Sequence, residues 1–161
     1  MKFNLMNKTK TILIATLLVG TLDGLAAIIQ FLINGGSDIS KVFQFIASGV
    51  FGKTAFSGGT TMALYGVVFH YLIALVWVVL FFLLYPKIIK KSLNKYLVGT
   101  VYGILIWLAM NKVVLPLSYT PNLEKTIMQD VVAALILIVF VGIPTAVMYT
   151  VVKPNQTKIT D

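Results

Sequence analysis

The sequence has no cysteine, no arginine, one histidine and five acidic residues in 161. Without cysteine there is no disulfide, thiolate metal site, iron–sulfur cluster or thiol nucleophile, and nothing to read about redox compartment. One histidine excludes a metal or haem site built from two histidines of a single chain. Haem would need His70 with Met62 or Met110, or a second copy of the chain, so no cofactor is expected. All thirteen basic residues are lysine, and the planar fork that makes most base-specific contacts is missing. The lysines flank apolar segments instead of forming a stripe with interleaved aromatics, so nucleic acid is not an expected partner. Charge is scarce altogether, at 11% of residues against roughly 25% in a soluble domain.

What the chain has in abundance is apolar sequence in long blocks. Hydrophobic residues make up 58% and the mean hydropathy is +0.94, which excludes a water-soluble fold. A helix rises about 1.5 Å per residue, so a hydrocarbon core about 30 Å thick takes roughly 20 residues. Residues 11–33, 62–85, 96–117 and 127–152 each meet that length. Lipid offers the backbone no hydrogen-bond partner, so each should be a helix. The fold class is therefore all-α, a polytopic four-helix transmembrane bundle forming one integral membrane domain over residues 1–161. A shorter helix over 38–51, amphipathic or re-entrant, is expected in the first outer loop. Ile39, Val42, Phe43, Ile46 and Val50 recur there at helical spacing, and Ser37 or Asp38 can cap its start. Gly49, Gly52, Gly58 and Gly59 mark the return from it.

Orientation follows from the lysines, because cytoplasmic flanks carry an excess of them. Nine fall on one side: Lys2, Lys8 and Lys10, then Lys87, Lys90, Lys91 and Lys95, then Lys153 and Lys158. Lys41, Lys53, Lys112 and Lys125 fall on the other, partly balanced by Asp38, Glu124 and Asp130. Both termini are thus expected in the cytoplasm of a multi-pass protein, with anionic lipid gathered at the inner face and Tyr85, Tyr96 and Tyr149 in an inner interfacial belt. The apolar run after the N-terminal lysines could also be a signal peptide. It continues past Asp23 to Ile33 without a clear Ala-x-Ala site, which favours an uncleaved first span.

The run Ala47-x-x-x-x-Gly52-Lys53-Thr54 satisfies a relaxed phosphate-loop pattern. A true one follows a buried strand and opens a helix in a soluble α/β domain, and this run lies between two spans. Gly20-x-x-x-Gly24 and Gly99-x-x-x-Gly103 are better signals, placing small residues where helix backbones can approach closely, within one chain or between subunits. Pro144 should kink the fourth span. Trp77 and Trp107 are too deep to be interfacial anchors and should fill the core or line a pocket.

Asp23 is the most informative residue. An aspartate at mid-span costs about 3 kcal/mol unless it is protonated, paired or hydrated. His70 is expected at a matching depth, about 12 Å below the outer start of its span against about 15 Å for Asp23. A carboxylate and an imidazole together make a proton-exchanging unit near neutral pH. Lys112 and Asp130 should both be shallow enough to pair, and Gln30 and Asn111 lie at similar depth. The candidate ligand, ion or proton site is therefore Asp23, His70, Asn111, Lys112, Asp130 and Gln30, in a polar cavity open to the outside. Alternatively the same residues are structural, in a membrane accessory or scaffold subunit associating as a homo-oligomer or with a membrane partner. No nucleophile, base and orienting group come together, so an enzyme is not expected.

The run Ile46-Ala47-Ser48-Gly49 through Gly52, Ala55-Phe56-Ser57-Gly58-Gly59, Gly66, His70 with Ile73-Ala74, Tyr102-Gly103, and Met110-Asn111-x-Val113-Val114-x-Pro116 resembles small uncharacterised four-span bacterial membrane proteins, distantly YagU-like. The resemblance implies a four-span architecture in the bacterial inner membrane and carries no known chemistry.

Overall fold

The structure, a computed structural model, describes residues 5–88, 94–121 and 126–152, and the side chains of 8–86, 94–121 and 126–150. Lys2, Lys90, Lys91, Lys125, Lys153 and Lys158, on which much of the expected orientation rests, lie outside the described residues. The described chain is all helix and turn, and four of its helices are long and apolar enough to cross a membrane.

Helix α1, Leu5–Ile33, stops where Gly35 adopts a φ of 87°, a conformation that closes a helix end at little cost only for glycine. The Gly35 and Gly36 amides turn back to the Leu32 and Phe31 carbonyls, and the Asn34 side chain donates to the Gln30 carbonyl at 2.7 Å. Helix α2, Ser40–Phe51, leads into a 3₁₀ turn, Gly52–Phe56, and then into α3, Gly59–Ile88. Gly52 and Gly59 hold φ values of 60° and 58° at the two corners of this return. The phosphate-loop-like run thus ends a helix and has no strand before it. Helix α4, Lys95–Leu117, starts at Asn94, whose side chain accepts from the Tyr96 amide. Helix α5, residues 127–152, starts at a capping box in which Thr126 and Gln129 satisfy each other's backbone amides.

Helices α4 and α5 each carry a π-turn, at Met110–Val114 and Leu137–Gly142. Each ends two residues before a proline, Pro116 or Pro144. A proline ring inside a helix collides with the carbonyl four residues earlier and removes an amide. Widening the preceding turn accommodates both faults without breaking the span. The expected bend at Pro144 is thus a π-turn, and Pro116 has one of the same kind.

Helix α2 does not lie loose over the bundle. The Phe43 carbonyl sits where Gly66 would carry a Cβ. Phe43 meets His70 edge-on at 6.4 Å, and Phe51 packs on Tyr65 and Phe69 at 5.5 and 6.0 Å. Residues eight apart on α2 therefore touch the same stretch of α3, so α2 crosses it, about 10–16 Å along the helix from Gly59. The expected short helix between the first two spans is thus present and packed against the second.

At the opposite end Phe81, Phe82 and Tyr85 form a core with Tyr102 and Tyr149. Tyr85 is buried and its ring lies 4.3 Å from that of Tyr149. The expected tyrosine belt is corrected accordingly: only Tyr96 is exposed, and the other two pack inward on phenylalanine edges.

At the start of α2, Asp38 accepts hydrogen bonds from the Ser40 hydroxyl and amide. These bonds, the hydroxyl first, hold its carboxyl below the usual aspartate value. A depressed folded value means that the stabilisation is present above the unfolded value of about 3.9 and fades as pH falls through the folded one. Amide-exchange protection of Ser40 is expected to hold from pH 7 to 5 and to fall below about pH 4. Asp38→Asn should flatten that fall; an equal fall in both proteins would exclude the carboxylate as its cause.

Candidate functional site

Helices α1 and α3 are stapled at mid-span by the one histidine. His70 is buried and its Nε2 donates to the Gly20 carbonyl oxygen at 2.7 Å. The two glycines of the first small-residue pair make room for this contact. A Cβ on Gly24 would lie 3.3 Å from His70 Nε2, and one on Gly20 would lie 2.8 Å from the Tyr71 ring. Beside the staple, Thr21 Oγ1 and Tyr71 OH share a hydrogen bond of 2.9 Å. Asp23 is one turn along α1 from Gly20, with no direct hydrogen bond to His70 among the described contacts.

Asp23 and His70 share the wall of a cavity of about 250 Å³ enclosed by all four long helices. Met110 and Val114 reach it from one π-turn, Leu137 and Val141 from the other. Helix α2 roofs it with Phe45, Ile46 and Gly49, beside Ser118 and Thr120 from the segment after α4. That roof is tied down by a backbone hydrogen bond of 3.1 Å from the Tyr119 amide to the Gly49 carbonyl. Apart from Asp23, His70, the two hydroxyls and the indole of Trp77, the wall is apolar. Trp77 is at the end away from α2. Its carbonyl accepts from Tyr102 OH at 2.5 Å, and beyond it lies the aromatic core.

The other expected site residues are not on this wall. Gln30 reaches the Gln129 carbonyl at 3.5 Å, and Asn111 donates to the Trp107 carbonyl of its own helix at 3.0 Å. Lys112 is exposed, Asp130 is half-buried, and no ion pair joins them among the described contacts. The π-turn gives the reason. Met110 and Val114 take its cavity side, so the residues between them are turned away. Asp23 and His70 are thus brought together, and the wider cluster is dispersed. Ser118, Thr120 and the α2 roof were not legible as wall residues, because hydroxyls in a short loop carry no positional signal. Trp77 lines the cavity, whereas Trp107 does not, and its Nε1 is buried without a partner among the described residues.

The second glycine pair works elsewhere. A Cβ on Gly99 would lie 2.6 Å from Ile143 Cα, and one on Gly103 2.5 Å from Ile138 Cα, so α4 and α5 touch backbone to backbone. No protein-family model matches the chain, and comparison with curated proteins and with solved structures returns no match, which leaves the resemblance to small four-span bacterial proteins without a family behind it. What helix length and composition identify is a multi-pass membrane protein built on four spans.

Proposed function

We propose that the protein is a non-catalytic binding protein of the bacterial inner membrane, with both termini in the cytoplasm and α2 on the outer side. Its ligand is small and largely apolar, with one polar or protonatable group held against Asp23 and His70. The observation that carries this reading is the Asp23–His70 pair on the wall of an otherwise apolar cavity of about 250 Å³ between the spans. Ionisable residues inside spans face cavities and mark function, and an apolar pocket with a few convergent polar groups is the usual form of a ligand site. The volume lies below the roughly 300–1,000 Å³ of drug-sized sites, which favours a fragment-sized ligand. The aromatic packing beyond Trp77 supports binding over conduction through a single chain.

A scaffold role is the second reading, favoured by the His70–Gly20 staple, which gives the imidazole a structural task of its own. Native mass spectrometry of protein extracted in mild detergent separates the two. The binding reading predicts a one-to-one small-molecule adduct that disappears in Ile46→Trp, where an indole fills the roof. Asp23→Asn should lower its occupancy about tenfold, the worth of a hydrogen bond to a charged group. An empty wild-type protein, with both variants folding normally, would establish the scaffold reading instead.

A further inference from the structure

Two openings on the side of the bundle meet at a polar junction. A groove of about 590 Å³ between α1 and α5 runs from Leu22 and Phe140 to Gln30, Asn34 and Gln129 at the α2 end. Next to it a crevice of about 390 Å³ opens between α1, α2 and α5, with the same three amide side chains on its wall and Lys41 at its edge. The two helices run in opposite directions here, and Gln30 bonds the Gln129 carbonyl across them. Gln129 spends its side-chain oxygen on the Thr126 amide, which leaves its NH₂ as a donor.

The dimensions and the chemistry match one kind of molecule. At about 1.5 Å per residue the groove is about 16–18 Å long, close to one leaflet of a hydrocarbon core about 30 Å thick. It is apolar at its mid-bundle end and carries amides at the end where the helices emerge, and the adjoining crevice adds the Lys41 ammonium group. Lys41 is exposed and forms no ion pair among the described contacts. Asp38 is near enough to interact with it, but its Oδ1 already accepts two hydrogen bonds from Ser40. We propose that the groove and crevice together bind one anionic phospholipid, an acyl chain lying between α1 and α5 and the phosphate at Lys41. The groove shares no wall residue with the Asp23–His70 cavity and the crevice shares only Phe45, so variants at Ile29, Leu25 and Lys41 read the lipid site apart from that cavity.

The test is native mass spectrometry of the full chain in detergent with equal amounts of phosphatidylglycerol and phosphatidylcholine. The wild-type protein should retain one phosphatidylglycerol in preference to phosphatidylcholine. Lys41→Gln should reduce that preference about fivefold, the worth of one lysine beside an anionic surface. Ile29→Trp, or Leu25→Trp as a second filling variant, should remove bound lipid of both kinds. All three positions are exposed, and unchanged circular dichroism would show that the fold is kept. An unchanged preference in Lys41→Gln, lipid retained in both tryptophan variants, or displacement of the lipid by inorganic phosphate alone would overturn the proposal.

Discussion

Gly142→Ala is expected to destabilise the folded bundle strongly, although it adds a single methyl group. A Cβ at Gly142 would run into the Gly99 carbonyl oxygen and lie 2.7 Å from Gly103 N and 2.9 Å from Gly103 Cα. All of these are backbone atoms, so no side chain can rotate out of the way and α4 must separate from α5. Overpacking a core typically costs about 1–3 kcal/mol and occasionally more. With main chain on both sides, a loss above about 3 kcal/mol is expected, a large part of the 5–15 kcal/mol that ordinarily separates folded from unfolded domains. Gly49→Ala is the control, since its Cβ would meet Thr120 Oγ1 at an ordinary 3.6 Å. There the gain of about 1 kcal/mol in helix propensity should leave stability unchanged or raised. Thermal unfolding in detergent, followed by circular dichroism and size-exclusion elution, reads both variants. A Gly142→Ala protein that melts with the wild type would mean that α4 and α5 are farther apart than described.

His70→Phe should be the next most damaging change. It removes the hydrogen bond to the Gly20 carbonyl, worth about 1 kcal/mol. It also takes the imidazole away from Asp23, leaving an intramembrane carboxyl without its neighbour, a change that costs about 2–3 kcal/mol. If the second term is real, Asp23→Leu should be better tolerated in the His70→Phe background than in the wild type. The expected coupling is within the 0.5–3 kcal/mol found for residues in contact. Unfolding titrations of the wild type, both single variants and the double variant supply the cycle. Strictly additive losses would show that the two side chains share a cavity without sensing each other.

The four spans were legible because crossing a membrane demands long runs of apolar residues, a requirement written along the chain itself. The glycine pairs were legible as contact faces, but not their partners. Gly142 and Gly66 stand alone in their spans, and a lone glycine in an apolar helix does not announce that another backbone will press on it. Asp23 and His70 could be matched by depth because both are anchored to span ends. Depth says nothing about azimuth, which is why Lys112 and Asp130 looked like partners and Tyr85 and Tyr149 like a belt. The π-turns add to that difficulty, since each shifts the rotational register of every residue after it.

The roof of the cavity comes from the first loop of the chain, but its fastening, Tyr119 to Gly49, comes from the segment after the third long helix. One wall comes from the fourth. The compartment therefore does not exist on a nascent chain with one or two helices inserted, and is finished only when the last helix docks. A molecule that occupies it binds the completed protein alone and so drives assembly to completion by mass action. A chain truncated before residue 127 should be blind to that molecule, however well its first two helices insert.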